Sequence, residues 1–245
     1  MNFYGNSSVD TNSAAAANID VSAVLRQVYM WMFAALLITA GTAYFISQSP
    51  SITNALFGNP LLLIGSFIVE IGLVMFISAR IMQLDPTTAI TLFLVYAFVN
   101  GVTLSFIFLT YTTATIYGAA IATAGMFGAT SLFAYATRID LSKMGGILMM
   151  ALIGLIIASI VNMFVASSAL YWVINYAGVL IFVGLTAYDT QRIKDMALNI
   201  SVNAGGEAAL VQRVGVIGAL KLYLDFINIF LFVLRIMGGG RGGRR

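Results

Sequence analysis

The chain has 245 residues, of which 60% are hydrophobic and only 9% charged, with a formal net charge of +3 and a mean hydropathy of +0.97. A soluble domain is about one quarter charged, so this composition excludes a water-soluble fold of this size and leaves one compact membrane domain. The absence of cysteine and histidine removes disulfides, thiol and imidazole catalysis and the usual zinc or haem ligands. The basic residues are scattered between apolar segments without interleaved aromatics, which excludes nucleic acid as a partner.

Residues 1–23 are polar, small and acidic rather than basic. They lack the basic n-region of a cleaved signal peptide and are expected to form a disordered tail. Membrane helices are then expected near 24–47, 61–80, 88–110, 114–137, 146–167 and 169–190, since a span needs about 20 apolar residues. SQSPS, LDPTT and RIDLSKMGG punctuate the second, third and fifth. A seventh helix is expected near 214–236, within a bundle extending over 24–237, and a basic Gly/Arg tail over 238–245. The expected fold is therefore an all-α polytopic bundle of six spanning helices around a central or semi-spanning seventh.

Arg80, Arg138, Lys143, Arg192, Lys194 and Arg213 all fall in the second, fourth and sixth loops. The positive-inside rule then sets the N-terminus in the cytoplasm. Tyr111, Tyr117, Tyr171 and Trp172 mark the opposite, uncharged turns as an aromatic belt. This orientation puts Arg241, Arg244 and Arg245 outside if the seventh helix spans. Because the apolar run between Lys221 and Arg235 is short, two readings stay open: a span sheltered by the other six, or a partial entry that returns to the cytoplasm. On the fourth helix, Ala114, Gly118 and Ala122 at four-residue spacing offer close helix packing.

Ionisable groups inside apolar helices cost roughly 2.5 to 3.5 kcal/mol each at the bilayer centre. Glu70, Asp189 and Asp225 are of this kind, with Arg80, Lys221 and Arg235 near them. Lys221, Asp225, Asn228 and Arg235 lie within an arc of about 80° on the seventh helix, a polar stripe that must face the bundle interior. Asp189 and Asp225 are expected at similar depth on consecutive helices. Two such carboxylates share a proton and titrate as a unit, a pH switch, and when ionised they suit a hard cation such as Ca²⁺. The plainer alternative pairs Asp225 with Lys221 one turn away and leaves Asp189 as an interfacial acid beside Arg192.

The run GMFGATSLFAYATRIDLSKMGGILMMALIGLIIASIVN, then GVLIFVGLTAYDTQRIK and GALKLYLDFINIFLFVLRIMG, resembles the bacterial inner-membrane branch of the Bax inhibitor-1 family. The resemblance extends over nearly the whole chain after the tail. It implies a seven-helix fold with a central last helix and a proton-sensitive Ca²⁺ leak, with a pH-sensing latch at Asp189 and Asp225. It also implies a supporting charge network at Arg80, Glu70, Arg235 and Lys221, a link to cell-death suppression and, in bacteria, modulation of membrane proteolysis.

Three functions follow as expectations. The first is a non-enzymatic Ca²⁺ pathway with no cofactor, whose partners are the bilayer, Ca²⁺ and protons, and in which Asp189 and Asp225 contact the ion. The second is an interaction protein that regulates a membrane partner such as a protease or a stress factor. The third is an intramembrane aspartyl protease of presenilin-like arrangement, although its GxGD and PAL motifs are missing.

Overall fold

The computed structural model describes residues 21–80, 83–203 and 208–239. Among them the chain forms helices only: α1 (Val21–Ser47), α2 (Pro50–Phe57), α3 (Pro60–Arg80), α4 (Pro86–Leu104), α5 (Ile107–Thr110), α6 (Thr113–Ala136), α7 (Met144–Val165), α8 (Ser168–Asn203) and α9 (Ala208–Gly239). Seven segments are long and apolar enough to cross a membrane, with α4 and α5 serving as one and α2 as a short connector. The expected all-α polytopic bundle is therefore present. Helix α1 begins at Val21, three residues inside the expected tail, while 1–20 and 240–245 lie outside the described residues.

Local chemistry sets the boundaries. LDPTT is an N-terminal cap: the Asp85 carboxylate accepts from the amides of Thr87 and Thr88, and Pro86 occupies the first helical position, where no amide is needed. The expected helix over 88–110 breaks at Ser105, whose hydroxyl donates to the carbonyl of Val102 at 2.6 Å. Helix α7 ends on Ala166, the described non-glycine residue with positive φ, at 51°. Helix α8 runs well past the expected end at 190. No glycine or proline interrupts this stretch, and Ile193 and Ala197, one turn apart, are fully buried and hold the extension against the core. Arg192 and Lys194 thus stand on a helix and not in a loop.

Helix α9 is the centre of the bundle, packing against α8, α1, α6 and α4. Of its spanning window 67% is buried, against 6% for α3 and for α7. Leu210–Gly239 is a 30-residue candidate span, about 45 Å at 1.5 Å per residue and ample for a hydrocarbon core of ~30 Å. At its start, Arg213 donates to the carbonyl of Leu84 in the α3–α4 loop. At its end Gly238 lies against Tyr111 and Gly239 against Trp172, among the uncharged turns. This geometry matches the sheltered span and not the partial entry.

The small residues of α6 pack on a face one residue away from the expected one. Ala114 and Ala122 are exposed, Gly118 is half-buried with Met237 of α9 packed against it, and Thr115, Ala119, Thr123 and Phe127 form the buried line. Close backbone approach occurs instead at Gly101 of α4, where a Cβ would stand 2.7 Å from the backbone oxygen of Thr39 on α1. Only glycine permits this crossing.

Candidate functional site at the α8 and α9 interface

Helix α8 presents Asp189 to α9, and the two carboxylates expected from sequence are both buried, Asp189 at 8% and Asp225 at 4% exposure. Lys221, one turn before Asp225, reaches across to Asp189 rather than along its own helix: the Nζ to Oδ1 distance is 2.9 Å. This replaces the plainer local pairing of Lys221 with Asp225. The Asp225 carboxylate lies within electrostatic reach of both Asp189 and Lys221, yet its Oδ2 is buried with no hydrogen-bond partner. Thr190, next to Asp189, also carries a buried hydroxyl without a partner. Two acids and one ammonium thus share a low-dielectric interface, with one carboxylate oxygen unsatisfied.

The turns after Asp189 fix its helix to the preceding loop. Gln191 accepts from the amide of Leu141 at 2.7 Å and donates to the carbonyl of Ile139 at 2.8 Å. Lys194 donates to the carbonyl of Tyr135 at 2.9 Å and lies over that ring. In the same loop, the Ser142 hydroxyl and amide donate to Asp140 and hold its exposed carboxyl below the usual range. AYDTQRIK is therefore a docking strip: Asp189 faces α9 while Gln191 clamps the α6–α7 loop and Lys194 the last turn of α6.

The supporting charges are dispersed. Arg80 is exposed at the end of α3 and donates to Gln83 in its own turn at 3.2 Å. Arg235 lies at the far end of α9, its guanidinium 5.5 Å from the Phe232 ring centroid, and it lines a cavity of about 360 Å³ with Phe67, Thr103 and Tyr111. Glu70 is half-buried in α3, and its Oε1 is buried with no hydrogen-bond partner. Asn228 of the expected stripe donates to the carbonyl of Leu224 on its own helix. Of the expected network, the structure joins Lys221 alone to Asp189 by an ion pair.

Among the described residues no three acidic, histidine or cysteine side chains converge on one point. The pair Asp189 and Asp225 alone falls short of the six to eight oxygens of a resident Ca²⁺, and the Lys221 ammonium already sits where a cation would meet Asp189.

A second polar group escaped the sequence reading. The hydroxyl of fully buried Tyr223 of α9 lies 3.0 Å from Asn100 Oδ1 and 2.7 Å from the Thr39 hydroxyl, and its single proton serves one of these two contacts at a time. Thr39 also donates to the carbonyl of Ala97 at 2.8 Å. This knot ties α9 to α1 and α4 two residues before Asp225. The signal was present in Asn100, an amide inside an apolar helix, but nothing local names its partner.

Fold and site together define a polytopic α-helical membrane protein with an acid and lysine cluster buried at the junction of its last two helices. The sequence profile described as "Inhibitor of apoptosis-promoting Bax1" matches residues 21–242. The inner membrane protein YbhL of Escherichia coli strain K12 is 46% identical over 217 residues, covering 89% of this chain and 92% of YbhL. An uncharacterized protein of Borreliella burgdorferi is 42% identical over 217 residues, covering 89% and 92%. Another, of Caulobacter vibrioides, is 35% identical over 254 residues, covering 98% and 100%. The chain belongs to the Bax inhibitor-1 family.

Proposed function

We propose that this protein is a pH-sensitive Ca²⁺ leak pathway, in which protonation of the Asp189 and Asp225 pair sets the position of α9. The observation that carries the reading is the unpartnered Asp225 oxygen beside the Asp189–Lys221 ion pair. With both acids ionised the trio has a charge of −1, and one proton makes it neutral. Uncompensated charge is expensive in low dielectric, so the two protonation states favour different separations of α8 and α9. Parting these helices frees carboxylate oxygens, the hard ligands that suit a passing Ca²⁺. Lys221 acts as a tethered cation that competes with it.

Asp189 and Asp225 are the pH-sensing pair in this reading, and they meet the ion in transit without a resident metal. Arg80, Glu70 and Arg235 modulate the field along the path. The same reading puts the chain in a bacterial inner membrane with its N-terminus in the cytoplasm. Supporting it, Arg80 at the end of α3, Arg138 and Lys143 between α6 and α7, and Arg213 near the start of α9 stand at the end of the bundle where α1 begins, and YbhL is named an inner membrane protein. A protease dyad needs both carboxylates on one water, whereas Asp189 is engaged by Lys221.

The test is Ca²⁺ entry into dye-loaded proteoliposomes from about pH 5 to about pH 8, for the intact chain, Asp189→Asn, Asp225→Asn and the double variant. Flux that follows pH in the intact chain and ignores it in the variants is the expected outcome. Flux no greater than in empty vesicles at every pH would transfer the assignment to an interaction protein that regulates a membrane partner.

A further inference from the structure

Helices α1 and α6 share no substantial interface, and between them α9 presents the half-buried Phe226 and the edges of Ile227 and Phe230, which are 7% and 8% exposed. A groove of about 550 Å³ occupies the gap. Its walls include Ala40 of α1 and Ala120 of α6, and its floor is formed by Phe226, Ile227 and Phe230 of α9. The lips are lipid-facing side chains such as Phe33, 59% exposed, and Ile121, 74% exposed. The one buried polar wall residue, Thr39, has its hydroxyl already engaged by Ala97 and Tyr223.

Water is a poor occupant, because it needs two to four polar partners and apolar cavities stay dry. An empty groove is also unfavourable, since its lining atoms forfeit dispersion contacts on one side. The groove opens sideways from within three membrane-spanning helices, where the surrounding medium is hydrocarbon. We infer that the α1–α6 groove is a binding site for a lipid acyl chain, which enters laterally from the bilayer and rests on Phe226 and Phe230 of α9. The bilayer then touches the helix that carries Asp225, one residue from Phe226. This inference does not depend on ion conduction.

The check is photolabelling of the intact chain in phosphatidylethanolamine and phosphatidylglycerol vesicles doped with a phospholipid bearing a diazirine on its acyl chain. Adducts are mapped by peptide mass spectrometry. Carbene adducts on Phe226 or Phe230 are the readout, because this stretch of α9 is screened by its neighbours everywhere but at the groove. Ala120→Phe and Ala40→Phe fill the groove from opposite walls. A ring that fills the space excludes the acyl chain sterically and should remove most of the labelling of Phe226 and Phe230, while labelling of exposed Phe164 on α7 stays constant and reports that each variant is folded in the bilayer. An intact chain without α9 adducts, or α9 labelling unchanged in both filled variants, overturns the site. Loss of α9 labelling together with cross-links from α1 to α6 of another copy would give the groove to a second protomer instead.

Discussion

Helices α7 and α9 are both membrane spans, yet they relate to the bundle in opposite ways. Helix α7 is the more apolar, with a window hydropathy of 2.5 against 1.9, but 6% of its window is buried against 67% for α9. In water the more apolar helix would take the centre. In a bilayer lipid tails solvate apolar side chains as well as a neighbouring helix does, so the polar helix goes inside and the most apolar one faces out. Hydropathy identifies both as spans. It is the charges of α9, Lys221 and Asp225, that assign it to the middle.

Replacement within the two helices should therefore differ sharply. Tyr223→Ala, at a fully buried position, removes a packed ring and leaves Asn100 and Thr39 without their α9 partner. A loss of about 3 to 5 kcal/mol is expected, read as a lower unfolding midpoint in detergent or lipid. Lys221→Met strips the cation from buried Asp189 and should cost about 2 kcal/mol, with Asp189→Asn in the same background restoring part of it. Tyr223→Phe keeps the ring and deletes only the knot's hydroxyl, for about 1 kcal/mol. On α7, Ile153→Ala should stay within about 0.5 kcal/mol, since that side chain is 52% exposed toward lipid. Equal costs at Ile153 and Tyr223 would erase the distinction between the helices.

The sequence discloses such a bundle unevenly, for physical reasons. Asp189 and Asp225 are legible because a carboxylate in an apolar run has no cheap explanation. The cross-helix partner of Lys221 is not, because helical spacing reports only neighbours on the same helix. The extension of α8 was hidden by its charges, which end an apolar run without ending a helix. Small residues on α6 announce close packing without saying which face packs, and the buried line through Thr115 and Ala119 differs from Ala114 and Gly118 by a single position. Tyr223 gives no warning at all, since tyrosine is ordinary in membrane helices and its partners come from α1 and α4.

The absence of cysteine makes the central claim directly measurable. Cysteines introduced together at exposed Leu198 on α8 and exposed Gln212 on α9, at the same end of the bundle and carrying spin labels, would report the distance between these helices in vesicles from about pH 5 to about pH 8. The account predicts a distance distribution that moves with pH in the intact background and stays fixed in Asp225→Asn. The same distribution at every pH in the intact chain would contradict it.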